Sequence, residues 1–314
     1  MGFFRRWSRK WQKEERYVNF FWSCFWSSVI LATGWGMLRL ADSKSIYGID
    51  WQHTLSGGEQ DHGADSCQVS SYSSIKDSLV LVGNREGNSE QILVNKAFVT
   101  SYNKDTRNPN WSSWKLTSEH TDGIYSRDNE SFFEDERVVT PRAVPSDYRG
   151  SGYDRGHMCP AADNRWDKTA MHESFAMTNV CPQDRDLNKN TWNEIEQLCR
   201  RWAREYGVIY IVCGPLYYNH QVKSIGMNKI VVPDGFFKVV LRTGNEPYGI
   251  GFICDNQSDE EREVLHVTTI KMIEDITGYS FWKSLPDSLS NEVKGNSNIA
   301  NWRGTIKFIK QHSL

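Results

Sequence analysis

The sequence has almost no net charge, −2 over 314 residues, which says little about partners and does not by itself suggest nucleic acid. Even the segment from Arg149 to Tyr206 balances nine Lys/Arg against nine Asp/Glu. A polyanion would have to be attracted by a few placed cations. The chain also lacks a tight C-x2-C pair, so His157, Cys159, His172 and Cys181 do not have zinc-ligand spacing. Seven cysteines spread unevenly over the chain do not make a small disulfide scaffold. There is no internal repeat.

Ionisable side chains are missing from residues 17–38, "YVNFFWSCFWSSVILATGWGML". At about 1.5 Å per residue the run can cross a hydrocarbon core of about 30 Å. It is longer than the 7–15 or so apolar residues of a cleaved signal peptide, and no clean cleavage site follows. The run therefore predicts an uncleaved transmembrane signal anchor, with Cys24 as a packing residue. Residues 1–16 carry six Lys/Arg against two Glu, which predicts a basic cytoplasmic tail and puts the rest of the chain across the membrane. That compartment permits disulfides among the six cysteines beyond the anchor without dictating them. A bacterial envelope or periplasm is preferred to a mitochondrial inner membrane, because a transit peptide would be amphipathic and rich in Arg and Ser.

Residues 39–76 are polar and rich in Gly, Ser and Asp, and read as a linker. From Asp77 onward the chain reads as one globular domain, residues 77–314. "QILVNKAFVTSYN" suggests paired strands, and "VIYIVCGPLYY" is a strand stopped by Gly214 and Pro215. "NKIVVP", "FFKVVLR" and "YGIGFIC" follow as further strands. Helical periodicity occurs over 191–206, where Ile195, Leu198, Cys199, Trp202 and Tyr206 recur at three and four. Thr191 and Glu194 form a T-x-x-E capping box that starts this helix at about Trp192. Strands without regular βαβ alternation predict an α+β domain built on a mixed, mainly antiparallel sheet.

The chemistry-bearing stretch is "GSGYDRGHMCP", Gly150 to Pro160. Arg155 offers a planar fork for phosphate oxygens, Gly156 lets backbone approach closely, and His157 can exchange a proton near neutral pH. The bland alternative is a strand end with an ion pair and a hydrogen-bonded histidine. Downstream, "MTNVCPQDRDLNKNTWNEIEQ" adds Asn179, Gln183, Asn188 and Glu196. A hydrated Mg2+ tolerates few protein ligands, so one amide oxygen with a nearby carboxylate suits it.

"DYRGSGYDRGH" followed by "TNVCPQDRDLNKNTWNEIEQ" resembles the DNA/RNA non-specific endonucleases of the ββα-metal finger superfamily, in the endonuclease G-like form. The similarity runs over roughly residues 85–255 and includes "VTSYNKDTRNPNWSSWKLT", "GPLYY" and "VVPDGFFKVVL". It implies a ββα-metal finger site and a Mg2+-dependent endonuclease, with Mn2+ as a substitute, that cuts DNA and RNA without base preference. The products would carry 5′-phosphate and 3′-hydroxyl ends, and a homodimer is an expected assembly. His157 would be the general base, Asn188 the one direct metal ligand, and Glu196 would hold waters of the metal's shell. Arg155 would contact the scissile phosphate, while Asn179 and Gln183 would position the metal-site loop. Arg142 is the candidate for an additional upstream arginine.

In one unbroken helix Asn188 and Glu196 would stand about 12 Å apart along the axis. A helix starting near Trp192 lets Asn188 curl back, with Glu196 acting through water. The histidine would need to be neutral, with a backbone carbonyl orienting one ring nitrogen. Asp154 is read as orienting the DRGH strand, His172 as a surface or supporting residue, and Trp192 and Trp202 as core. Asp163, Asp167, Asp184 and Asp186 lie in polar loops and are not read as a metal cluster. Cys159 and Cys181 fit either a local disulfide or two buried thiols. Two alternatives stand beside the nuclease: a membrane-anchored module that captures nucleic acid without cutting it, and a hydrolase of another phosphodiester.

Overall fold

The computed structural model describes residues 77–218, 221–244, 246–258, 265–305 and 308–309. The expected tail, anchor and linker (1–16, 17–38 and 39–76) lie outside the described residues. Among the described residues no helix is long and apolar enough to cross a membrane.

In chain order the strands are β1 (Val82–Gly83), β2 (Gln91–Val94), β3 (Phe98–Asn103), β4 (Asn108–Thr117), β5 (Asp154–His157), β6 (Val180–Gln183) and β7 (Val208–Leu216). They continue as β8 (Ser224–Ile225), β9 (Ile230–Val231), β10 (Gly235–Arg242), β11 (Tyr248–Asp255), β12 (Leu265–Thr268) and β13 (Ser280–Phe281). The helices are α1 (Lys168–Ser174), α2 (Arg185–Lys189), α3 (Thr191–Tyr206), α4 (Ile270–Thr277) and α5 (Asp287–Gly295).

Seven strands form one sheet in the order β12-β11-β10-β7-β4-β3-β2, and every neighbouring pair is antiparallel. The expected α+β class with a mainly antiparallel sheet is what the chain adopts. The central strands β7, β10 and β11 read as continuous apolar runs because both faces are covered. On one face α3 lays Trp192, Ile195, Leu198 and Trp202 against Trp114, Ile211, Phe236 and Phe252 of the sheet. On the other, α4 and α5 pack against β11. That approach is close enough that a Cβ at Gly249 would collide with Ile270 and the Val293 backbone.

Two strands differ from the sequence reading. β7 runs through Gly214 and Pro215 to Leu216; its pairing with β4 ends at Cys213, so Pro215 lies where one side of the strand has no ladder to supply. "NKIVVP" yields only the two residues of β9, paired with β8.

Candidate active site

A second, small sheet stands apart from the large one. β5 and β6 pair antiparallel, with Asp154 opposite Gln183, Gly156 opposite Cys181 and His157 opposite Val180. The chain then enters α2 and α3. Asn190, with φ −105° and ψ −96°, breaks what would otherwise be one helix. This break, rather than a coil before a single helix, is how Asn188 is brought back toward Glu196. It also makes Asn190 the N-cap of α3 and places Thr191 inside the helix, one residue before the expected start.

The short helix α2 is fixed from outside itself. Asp184 caps it by accepting from the Asp186 and Leu187 amides. Asn256, just past β11, accepts from Asp184 N at 2.7 Å and donates to the Pro182 and Pro233 carbonyls. Ser258 donates to Asp186. The strand pair and α2 are thereby tied to the end of the large sheet.

Arg155, His157, Asn188 and Glu196 line one cleft of ≈580 Å³. Four further cations line it: Arg127, Arg165, Lys189 and Arg200. Arg142 does not. Its Nε donates to Glu134 at 2.5 Å and its Nη1 to the Val138 carbonyl at 2.8 Å. Arg127, which the sequence reading missed, lies in the turn Arg127–Asn129 capped by Ser126, and its guanidinium lies 5.9 Å from the Phe175 ring centroid. The only local signal for it was turn chemistry, which does not reveal a cleft.

His157 is not held by a backbone carbonyl. Among the described residues neither ring nitrogen has a hydrogen bond, and Nε2 is covered; Nδ1 is the nitrogen open to the cleft. The ring packs against Phe132 and Phe175, each at a centroid distance of 5.0 Å. Burial, with Arg127 adding to it, pushes the imidazole down to about 3, so it is neutral at pH 7.

Burial raises the Glu196 carboxyl, opposed by Lys238 and Arg200. Arg200 Nη1 lies 4.0 Å from Glu196 and 2.9 Å from Asp163, which also accepts from Trp114 Nε1 at 3.0 Å. Lys238 is itself buried, its ammonium 4.2 Å from the Trp192 ring centroid.

Asn179 anchors the loop after β5. Its Oδ1 accepts from Cys159 N and Ser112 Oγ, and its Nδ2 donates to the Cys159 and Ser174 carbonyls, all at 2.8–3.0 Å. Gln183 makes no such bonds: its amide is buried with no hydrogen-bond partner and fills the space above Gly156, where a Cβ would collide with it. Its contribution is packing under the DRGH strand. Asp154 accepts from Asn188 Nδ2 at 3.2 Å and from Arg185. This fixes which end of the Asn188 amide is oxygen.

The other acidic residues have structural partners. Asp167 caps α1, Asp184 caps α2, and Asp163 and Asp186 are bonded as above. His172 stacks on Phe133 at 4.5 Å with Nδ1 2.8 Å from Glu130. Cys159 and Cys181 are buried free thiols, as are Cys199 and Cys213, and Cys254 is buried too.

Residues 76–288 match the family model of the DNA/RNA non-specific endonucleases. The chain belongs to that family. Among its relatives, bovine mitochondrial endonuclease G is 38% identical over 163 residues, 48% of this chain and 54% of that protein. The mitochondrial Nuclease 1 of Schizosaccharomyces pombe is 30% identical over 238 residues, 68% of this chain and 74% of that one. Nuclease C1 of Cunninghamella echinulata is 31% identical over 224 residues, covering 88% of its length. The chain thus spans about half the length of the endonuclease G it matches. A chain of the solved EndoG/EndoGI complex superposes with TM-score 0.61 at 26% identity, over 66% of this chain and 92% of that one.

In this family member the covered imidazole has a consequence that needs no activity assay. The unfolded chain protonates His157 below about pH 6.5, the folded one only below about 3. Between these values the unfolded state binds more protons, so stability is lost as pH falls through the window, by up to about 1.4 kcal/mol per unit. Urea unfolding in EDTA from pH 7 to pH 4 should show a shallower acid loss for His157→Gln than for wild type. Parallel curves would rule the effect out.

Proposed function

We propose that the chain is a divalent-metal-dependent endonuclease that hydrolyses phosphodiester bonds in DNA and RNA with little base preference. The observation that carries this reading is the convergence of a neutral histidine, an oriented amide oxygen, a carboxylate and several arginines on one cleft.

The residues fit a hard cation. Asn188 Nδ2 is engaged by Asp154, which leaves Oδ1 as an oxygen donor without a protein partner among the described residues. Asn188 would hold the ion directly and Glu196 through water, and such oxygen donors match Mg2+, with Mn2+ able to substitute. When bound, the cation supplies Lewis-acid charge for the phosphorus centre and the departing oxygen. Arg155 and Arg127 hold the phosphate oxygens, and contacts of that kind carry no base information. His157, with its proton on Nε2, takes a proton from the attacking water at Nδ1. An imidazole near 3 would be a weak base, but a phosphodiester anion in the cleft favours the imidazolium and raises it toward the useful range. Asp154 and Asn179 act through the groups they orient.

Plasmid DNA and single-stranded RNA, each incubated with Mg2+ and with EDTA at low salt, test the reading. Metal-dependent cutting of both supports it. Tight binding without cutting would favour the capture module, and hydrolysis of a simple aryl phosphodiester alone would favour the other hydrolase. The cations give a sharper test. Arg127→Met should weaken DNA binding and reduce the slope of log affinity against log salt by about 1. Arg142→Met should leave that slope unchanged, and equal effects of the two would refute the assignment. For location, the relatives named as mitochondrial support a mitochondrial site as the alternative to a bacterial envelope.

A further inference from the structure

The segment 126–136 starts at the cleft wall, which Ser126, Arg127 and Asp128 line, and is pinned on both sides of Phe132. Before it, Glu130 meets His172. After it, Phe133 bridges to Ala176, exchanges backbone bonds with Phe175 and Met177, and stacks flat on His172. Further on, Asp135 accepts from Thr178 Oγ1 at 2.6 Å. The position of Phe132 is therefore set by its neighbours rather than by its own ring.

That ring does three things at once. It lies 5.0 Å from the His157 imidazole at an interplanar angle of 43° and 5.1 Å from Phe175. Its face carries the Arg155 guanidinium, 5.0 Å from the centroid. Phe175, beside Phe132, meets the imidazole edge-on, at 86°. Because His157 has no hydrogen bond to orient it, aromatic packing is what fixes the ring among the described residues. A guanidinium on an aromatic face is likewise held by a shallow but directional attraction.

We propose that Phe132 is a positioning residue of the nuclease centre, a single aromatic plate against which both the imidazole of His157 and the guanidinium of Arg155 are set. This rests on the nuclease reading above and deepens it. One ring links the proton acceptor to the phosphate clamp, so their separation is fixed by a rigid body instead of by two flexible side chains. Misplacement of a catalytic group by about 1 Å costs about 10²-fold in rate, which gives such a plate its value.

The test compares Phe132→Leu, Phe132→Tyr and wild type with Mg2+ and a short DNA duplex. Leu keeps apolar packing and loses the plate, whereas Tyr keeps it. Phe132→Leu should lower kcat about 10- to 100-fold while KM changes by less than about threefold, because the other cations still hold the backbone. Phe132→Tyr should stay within about threefold of wild type. In parallel, the His157 ring-proton resonances in EDTA should be shifted by ring currents in wild type and Phe132→Tyr, and relax toward ordinary values in Phe132→Leu. A Leu variant that retains kcat, a Tyr variant as impaired as Leu, or unchanged His157 resonances in the Leu variant would each overturn the proposal. Failure of the nuclease reading looks different: wild type would not cut at all, while the resonances would still report whether Phe132 fixes the ring.

Discussion

Replacing His157 with Ala should leave a folded protein that cuts plasmid DNA about 10²- to 10⁴-fold more slowly than wild type. The expectation follows from geometry as much as from the motif. Nδ1 is the ring nitrogen open to the cleft, and the imidazole is neutral at pH 7. A large part of the loss should remain at saturating substrate, since the arginines proposed to hold the backbone are untouched and the missing interaction would belong to the transition state. His157→Ala should also bind duplex DNA in EDTA about as tightly as wild type. Cleavage within a fewfold of wild type would remove His157 from the chemistry and leave the water without a base in this cleft. A collapse in binding would instead mean that the ring supports the cleft and does not act as a base.

Asn179→Ala should have the largest effect on stability, about 3–5 kcal/mol in urea unfolding monitored by circular dichroism. The side chain is fully buried and its amide saturates four partners on three elements: Ser112 on β4, both backbone groups of Cys159, and the Ser174 carbonyl at the end of α1. Ala would leave two carbonyls and an amide without partners, in a space too tight to hydrate freely, which is the costly form of hydrogen-bond loss. Because Cys159 lies two residues beyond His157, the activity of the molecules that remain folded should fall as well. A loss of stability below about 1 kcal/mol would mean that water replaces the amide.

The sequence was legible where local chemistry determines local structure. The 191–206 helix was readable because Ile195, Leu198 and Trp202 must share a face. The antiparallel sheet was readable because its strands are short apolar runs punctuated by turn residues. Asn188 and Glu196 were readable as partners once a helix boundary was required between them, although the form of that boundary, a break at Asn190, was not. Arg127 was hidden because nothing in a capped turn says which cleft it faces, and Arg142 misled because its neighbours Glu134 and Val138 are close in sequence but turn it away. The orientation of His157 was misread for another reason: Phe132 and Phe175 lie 25 residues before it and 18 after it, and packing between such distant positions leaves no local pattern.

The tie through Asn256 changes where the accuracy of the cleft comes from. A five-residue helix such as α2 has no stability of its own in water, so the Asn188 amide inherits its place from whatever holds α2. That holder is a turn about 70 residues downstream, at the end of β11. Substitutions at Asn256 or Ser258 can therefore detune the site while every cleft-lining residue stays intact, and the reach of the catalytic centre along the chain extends well past the motif that announces it.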